Sequence, residues 1–159
     1  MEEKLSADDT ELLKVIRIDV LTASPDIFSS EEEKTGKHYA EIPLLNFELE
    51  NGENFLMTNI PVSIAIEIAK KLNGVESADS RLTVAELIPE LCIVERVVID
   101  SVVPYSTAYQ ASIEIRLEGV TETQRFQMIP SHATLLSLVA GTSIYVSNSV
   151  IATHLDDMV

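Results

Sequence analysis

The residues of this sequence best suited to chemistry are Ser131 and His132, which directly follow Pro130 at a predicted helix start. Helix-terminal amides attract anions, so this pair suggests a phosphate site or a serine nucleophile. Adjacent helical residues point about 100° apart, however, so the two side chains do not form a serine–base pair by themselves. The alternative interpretation is that Ser131 caps the helix and His132 packs or hydrogen-bonds locally.

Two aspartates in predicted strands, Asp19 and Asp100, are the carboxylates expected on the interior side, within reach of such a site. Because carboxylates bind Mg²⁺ or Mn²⁺, the candidate metal ligands are Asp19 and Asp100. The candidate catalytic residues are Ser131, His132 and Asp100. The alternative is that both aspartates are solvated strand ends. Residues 154–157, His-Leu-Asp-Asp, have metal-ligand types without the spacing of a zinc site, and we interpret them as an acidic tail.

Hydrophobic periodicity predicts the elements that must position these residues. Strands are predicted at residues 14–21, 39–50, 54–57, 93–103, 108–117, 123–128 and 143–146. Helices are predicted at residues 61–73, 83–90, 130–141 and 148–155, the second with Thr83 and Glu86 as a capping box. This order predicts a single α+β domain with a mixed, largely antiparallel sheet packed by two to four helices.

Three segments lack apolar periodicity. The two at the ends of the chain limit the predicted domain to residues 14–155, and the third is a loop within it. Residues 1–13 are interpreted as a polar, acidic leader and residues 156–159 as a tail. Residues 24–36 contain a proline, serines and three consecutive glutamates, which predicts an exposed and mobile loop.

Composition limits the partners that we expect. The 159 residues carry a net charge of −15, with 26 acidic and 11 basic residues. This charge repels phosphate backbones, and the bases are scattered apart from Lys70 and Lys71, so a nucleic-acid partner is not expected. No apolar run approaches the ~20 residues of a membrane span. The first residues lack the features of a secretory signal, so we expect a cytoplasmic protein. The apolar neighbours of the single cysteine, Cys92, predict a buried, inert thiol.

The order and spacing of several motifs resemble those of a known family. Residues 129–138, Ile-Pro-Ser-His-Ala-Thr-Leu-Leu-Ser-Leu, are followed by Gly-Thr-Ser-Ile-Tyr-Val at residues 141–146. They resemble the arginine-proline-serine-aspartate-alanine helix and the proline-isoleucine-tyrosine-valine strand of the bifunctional nuclease domain family. Further segments, at residues 55–74, 83–87, 94–99 and 109–113, extend the resemblance to roughly two-thirds of the chain.

The resemblance implies the family fold, but the polar motif residues differ. In the family a glutamate, a histidine–aspartate pair, an arginine and an aspartate are expected to hold divalent metal and position a phosphodiester. At these five positions this sequence has Ile64, Val84, Ala85, Ile129 and His132. Packing tolerates such changes better than an active site does, so the resemblance implies more about the fold than about the activity.

Two functions follow as hypotheses. The first is a diverged, non-catalytic member of the family, a homodimer or larger oligomer that binds a protein or small ligand and needs no cofactor. The second is a metal-dependent nuclease that hydrolyses DNA and RNA with relocated residues such as Asp19, Asp100 and His132, and with Mg²⁺ or Mn²⁺. The second hypothesis requires these three side chains to surround one open cavity.

Overall fold

A computed structural model describes residues 11–23, 41–76, 78–106 and 108–157, with side chains as far as Ala152. Within these residues seven strands form one sheet in the order β3-β2-β1-β7-β4-β5-β6. The elements are β1 (Leu12–Ala23), β2 (Ile42–Leu49), β3 (Asn54–Met57), α1 (Val62–Leu72), α2 (Val84–Leu91), β4 (Cys92–Val102), β5 (Tyr109–Leu117), β6 (Gln124–Met128), α3 (Pro130–Ala140), β7 (Ile144–Ser147) and α4 (Asn148–Asp157).

The pairing of the described strands confirms the predicted fold class, a single α+β domain with a mixed, largely antiparallel sheet. Only β4 and β7 run parallel, and the other five neighbouring pairs are antiparallel. β1 begins inside the predicted leader, because Leu12 and Leu13 pair with Ser147 and Val146 of β7. At the other end, α4 continues to Asp157, into the predicted tail. The predicted loop at residues 24–36 lies outside the described residues.

Local signals set the ends of the helices and the tight turn. The turn between β2 and β3 places Gly52 at φ 88°, which glycine adopts without steric cost. α2 has the predicted capping box, since Thr83 Oγ1 accepts from the Glu86 N–H at 3.3 Å and the Glu86 carboxylate accepts from the Thr83 N–H at 3.2 Å. α3 ends at Gly141, which has a left-handed φ of 69°.

The sheet is strongly curled rather than open. The ring of Phe55 in β3 lies 5.1 Å from the ring of Tyr109 in β5, and 6.1 Å from that of Phe47 in β2. In a flat sheet β3 and β5 would be five strand spacings apart, about 24 Å. The two sides of the sheet must therefore bend toward each other and enclose the core between them.

The concave face of this curl holds the helices and the core. α3 is the central helix, since it packs against α1, α2, β4 and β5. Seven of its eleven residues are buried, which agrees with a helix that is apolar on nearly all sides. Its two polar core residues beyond the first turn are satisfied, because the Thr134 hydroxyl donates to the Pro130 carbonyl at 2.7 Å and the Ser137 hydroxyl to the Thr142 carbonyl at 2.6 Å. Cys92 is buried, as predicted.

The helices of the described residues are too short or too polar to cross a bilayer.

Candidate functional site

The first turn of α3 borders a cavity of about 110 Å³ where the two sides of the curled sheet approach each other. Its walls come from the end of β3 and the following loop, from the start of β5, and from the start of α3. The polar lining residues are Thr58, Asn59, Tyr109 and Ser131. None of the described residues that line the cavity carries a charge, although the chain contains 26 acidic residues. The described lining is therefore uncharged, with polar groups set among apolar ones. We call it the α3 cavity.

Ser131 lines the α3 cavity, but it does not cap α3, so that interpretation of the sequence was wrong. The N-cap is Ile129, with φ −64° and ψ 129°, and its side chain cannot accept a hydrogen bond from the first turn. Ser131 is the second residue of the helix and is only 3% exposed. Among the described residues, neither its hydroxyl nor its backbone N–H finds a hydrogen-bond partner.

His132 is half-buried at the next position of α3. In the part of the chain that the structure describes, it makes no hydrogen bond with Ser131 or with a carboxylate. The described residues also hold no group of three or more histidine, cysteine, aspartate or glutamate side chains that could bind a metal ion. Ser131 and His132 are thus neighbours in the chain, but among the described residues neither side chain is hydrogen-bonded to an acid or a base.

Asp100 lies on the outer face of the sheet, opposite the core, and not on the interior side as expected. It is the extra residue of a β-bulge in β4, because Ile99 pairs with Ala111 whereas Ser101 pairs with Gln110. Its carboxylate accepts a hydrogen bond from the Ser112 hydroxyl at 2.6 Å and forms an ion pair with Arg125. Asp100 therefore joins β4 to β5 and β6.

Asp19 is far from Asp100. Its carboxylate pairs with Arg17 at 3.1 Å on the same strand. Leu12 of β1 pairs with Ser147 of β7. Val146, the residue before Ser147, pairs with Ile99, the residue before Asp100, so Leu12 and Asp100 lie at about the same height in the sheet. Asp19 is seven residues further along β1, which corresponds to about 23 Å at ~3.3 Å per residue. The two aspartates that the nuclease hypothesis brings together thus lie on the order of 20 Å apart.

The five positions at which the resemblance expects polar motif residues fall into two groups. Ile64 and Ala85 pack against the core. Val84 and Ile129 are instead 74% and 63% exposed, and His132 is half-buried. An aliphatic side chain at a buried position needs no further explanation, whereas exposed valine and isoleucine at the starts of two helices leave apolar surface in contact with water.

The arginines do not form a free basic surface. Each of the five arginines in the sequence pairs with a carboxylate, and two of these pairs, Arg96–Glu114 and Arg125–Asp100, lie on the outer face of the sheet. Arg96 also lies over the ring of Tyr145, 5.8 Å from its centroid. Carboxylates of the same chain thus neutralise the positive charge of the arginines, which further reduces the attraction for phosphate groups.

The shifted pKa values mark hydrogen bonds that hold turns and strand ends. The Thr123 hydroxyl, and then Arg116, lower the pKa of the Glu95 carboxyl below its ordinary value. The Thr83 backbone N–H, and then its hydroxyl, lower the pKa of Glu86, as the capping box requires. Perturbed carboxylates often indicate active sites, but these two have full local explanations away from the α3 cavity.

Sequence reasoning missed the part of the α3 cavity that comes from other segments. Asn59 follows β3 and has a left-handed φ of 59°, and Tyr109 opens β5 about fifty residues later. Asparagine ahead of Ile-Pro was a weak local signal for such a backbone conformation. No local pattern could place Tyr109 beside it, because this contact depends on the curl of the sheet.

Comparison with models of known protein families finds no match for this chain, and a search of curated proteins finds no relative.

Proposed function

We propose that this protein is a diverged, non-hydrolytic member of the bifunctional nuclease domain family that acts by self-association. Two copies meet through an exposed row of aliphatic side chains on α2. We call this row, formed by Val84, Leu87 and Leu91, the α2 stripe. The observation that carries the proposal is that α2 has no buried residue, although most of its side chains are apolar.

The geometry of α2 supports this role. At 100° per residue, the three members of the α2 stripe fall within an arc of about 60°. All three are exposed, whereas Ala85 and Ile88 on the adjoining side of the helix pack against the core. A surface helix normally turns its whole apolar face toward the core, so the uncovered half of this face favours contact with a second apolar surface.

The local charge supports a second copy as the partner. The cleft between α1 and α2 is lined by three acids and three bases: Glu67, Asp79, Glu86, Lys70, Lys71 and Arg81. This cleft, which borders α2 at Thr83 and Glu86, is therefore close to neutral in a chain with a net charge of −15. Two identical acidic molecules repel each other least where their charges are locally balanced, so a contact here costs less than elsewhere.

The same residues argue against hydrolysis. Aliphatic side chains cannot bind metal or activate water, and four of the five motif positions are aliphatic. The relocated carboxylates of the nuclease hypothesis are engaged in ion pairs on separate strands. A binding role requires neither a metal nor a general base.

We expect Val84→Glu to weaken self-association at least about tenfold, because it places a charge within an apolar contact. Glutamate in the first turn of a helix is favourable, so α2 itself should remain folded. Light scattering over a range of micromolar concentrations should report twice the mass of the chain for the original protein. It should report the monomer mass for the variant.

Val120→Glu is the matched control, since Val120 is also an exposed valine but lies in the turn between β5 and β6. It makes the same change in charge and should leave association unchanged. Because both copies are acidic, added salt should strengthen the dimer. A monomer at all concentrations, or equal losses in both variants, would refute the α2 stripe as the contact.

We expect no appreciable hydrolysis of DNA or RNA by the purified protein with either Mg²⁺ or Mn²⁺. The physical reason is the lack of metal-binding side chains at the motif positions together with the repulsion of phosphate by the net charge. The assay should include His132→Ala, because a contaminating nuclease would not respond to that change. Turnover that His132→Ala abolishes would replace this proposal with the relocated-site nuclease.

A further inference from the structure

Ser131 differs from the other buried hydroxyl groups of α3. Thr134 and Ser137 each donate to a carbonyl oxygen. Ser131 is 3% exposed and lines the α3 cavity, yet its hydroxyl has no partner among the described residues. A buried polar group without a partner lowers the stability of a folded protein and is uncommon. Its presence at a cavity wall therefore indicates that a ligand supplies the missing acceptor.

The backbone next to this hydroxyl is also unsatisfied. The first turn of α2 is closed by the Thr83–Glu86 capping box, whereas α3 has an isoleucine as its N-cap. In the described residues the N–H groups of Ser131 and His132 therefore remain without acceptors. Two free amides and a hydroxyl at the positive end of an eleven-residue helix form a set of donors for a small anion.

We propose that the α3 cavity binds a single carboxylate group carried on a short apolar stem. The backbone N–H and the hydroxyl of Ser131, which lines the cavity, donate to the carboxylate oxygens. The stem lies against Met57, Ile60, Ile129 and Pro130, which supply the apolar part of the lining. This site is separate from the α2 stripe, and its occupancy does not depend on self-association.

The cavity favours this chemistry over other small ions. A volume of about 110 Å³ corresponds to roughly four water molecules at about 30 Å³ each, which suits a short-chain acid. No acid is present among the described residues that line the cavity, so a metal cation would lack carboxylate ligands from them. The described part of the lining contains no arginine or lysine either, so it offers a phosphate dianion no side-chain counter-charge.

The test is a titration of the isotopically labelled protein followed by the amide NMR signals of Ser131 and His132. Butyrate, inorganic phosphate and sodium chloride are added separately at equal ionic strength. We expect saturable shifts of both signals with butyrate, and no saturable shift with phosphate or chloride. A second pair of probes, acetyl-Ala-Ala and its C-terminal amide, distinguishes a peptide carboxyl end from a free acid as the source of the group.

Ser131→Ala and Ser137→Ala form a matched pair, because both remove a buried hydroxyl from α3. Ser131→Ala should weaken butyrate binding at least about tenfold, while Ser137→Ala should leave it unchanged. Without ligand, Ser131→Ala should raise the melting temperature by about 3 °C, since an unsatisfied group is removed. Ser137→Ala should lower the melting temperature, because the Thr142 carbonyl loses its donor.

Three results would overturn the proposal. The first is the absence of a saturable response to butyrate and to acetyl-Ala-Ala, and the second is an equal response to phosphate. The third is unchanged butyrate affinity in Ser131→Ala. Binding by acetyl-Ala-Ala but not by butyrate would support the proposal with a peptide C-terminus as the source, and the reverse would support a free acid.

Discussion

Replacing Phe55 by alanine is expected to lower the free energy of unfolding by about 3–5 kcal/mol, the usual cost of removing a fully buried phenylalanine. Phe55 is 0% exposed and its ring packs against those of Phe47 in β2 and Tyr109 in β5. It thus joins the two sides of the curled sheet across the core. Urea denaturation followed by circular dichroism measures the change, with the slope of the transition checked for two-state behaviour.

Phe126→Ala is the control for this variant. Phe126 belongs to the edge strand β6 and is 48% exposed, so the same substitution should cost less than about 1 kcal/mol. Equal costs for the two variants would contradict the interpretation that the aromatic contact at Phe55 closes the curl.

Replacing Asp100 by alanine is expected to destabilise the metal-free protein by about 2 kcal/mol. The Asp100 side chain is 19% exposed and is the acceptor for Ser112, which is itself buried. The substitution leaves the Ser112 hydroxyl without an acceptor and Arg125 without its ion pair. Thermal and urea denaturation in the presence of EDTA measure this cost without any contribution from metal.

Asp19→Ala tests whether the effect depends on the environment of the carboxylate. The Asp19 side chain is 32% exposed and its partner Arg17 is more exposed still, so the loss of this pair should change stability by less than about 0.5 kcal/mol. If Asp100→Ala left stability unchanged in EDTA but abolished a Mn²⁺-dependent stabilisation, Asp100 would be a metal ligand and not a structural crosslink.

Features with local causes were predictable from the sequence. The capping box at Thr83 and Glu86 depends on residues three positions apart, and the β2–β3 turn depends on Gly52. β3 has the predicted bounds, and the other strands and helices lie within a few residues of their predicted positions. The apolar periods, two for strands and 3.6 for helices, are properties of short segments, so these elements could be located without the tertiary structure.

Features that depend on distant segments were not predictable. The register shift between Val94 and Arg96 changes the alternation of β4, so that Val94, Val97 and Ile99 face the core. Asp100, which follows Ile99 and was expected to face inward, therefore lies on the outer face. Ser131, the serine expected to cap α3, lies two residues after the N-cap, because Pro130 is the first helical residue and Ile129 is the N-cap. The α3 cavity depends on the approach of β3 to β5, which no local pattern encodes.

The position of β7 has a consequence for the order of folding. β7 lies between β1 and β4, and Leu13 of β1 pairs with Val146, about 130 residues later in the chain. The N-terminal strands therefore cannot join the rest of the sheet until this late segment has been synthesised and inserted between them. Closing such a long loop is slow, and the facing edges of β1 and β4 remain unpaired in the meantime. During this interval the nascent chain exposes two edges on which another chain can template strand pairing, so its risk of aggregation is greatest before β7 is in place.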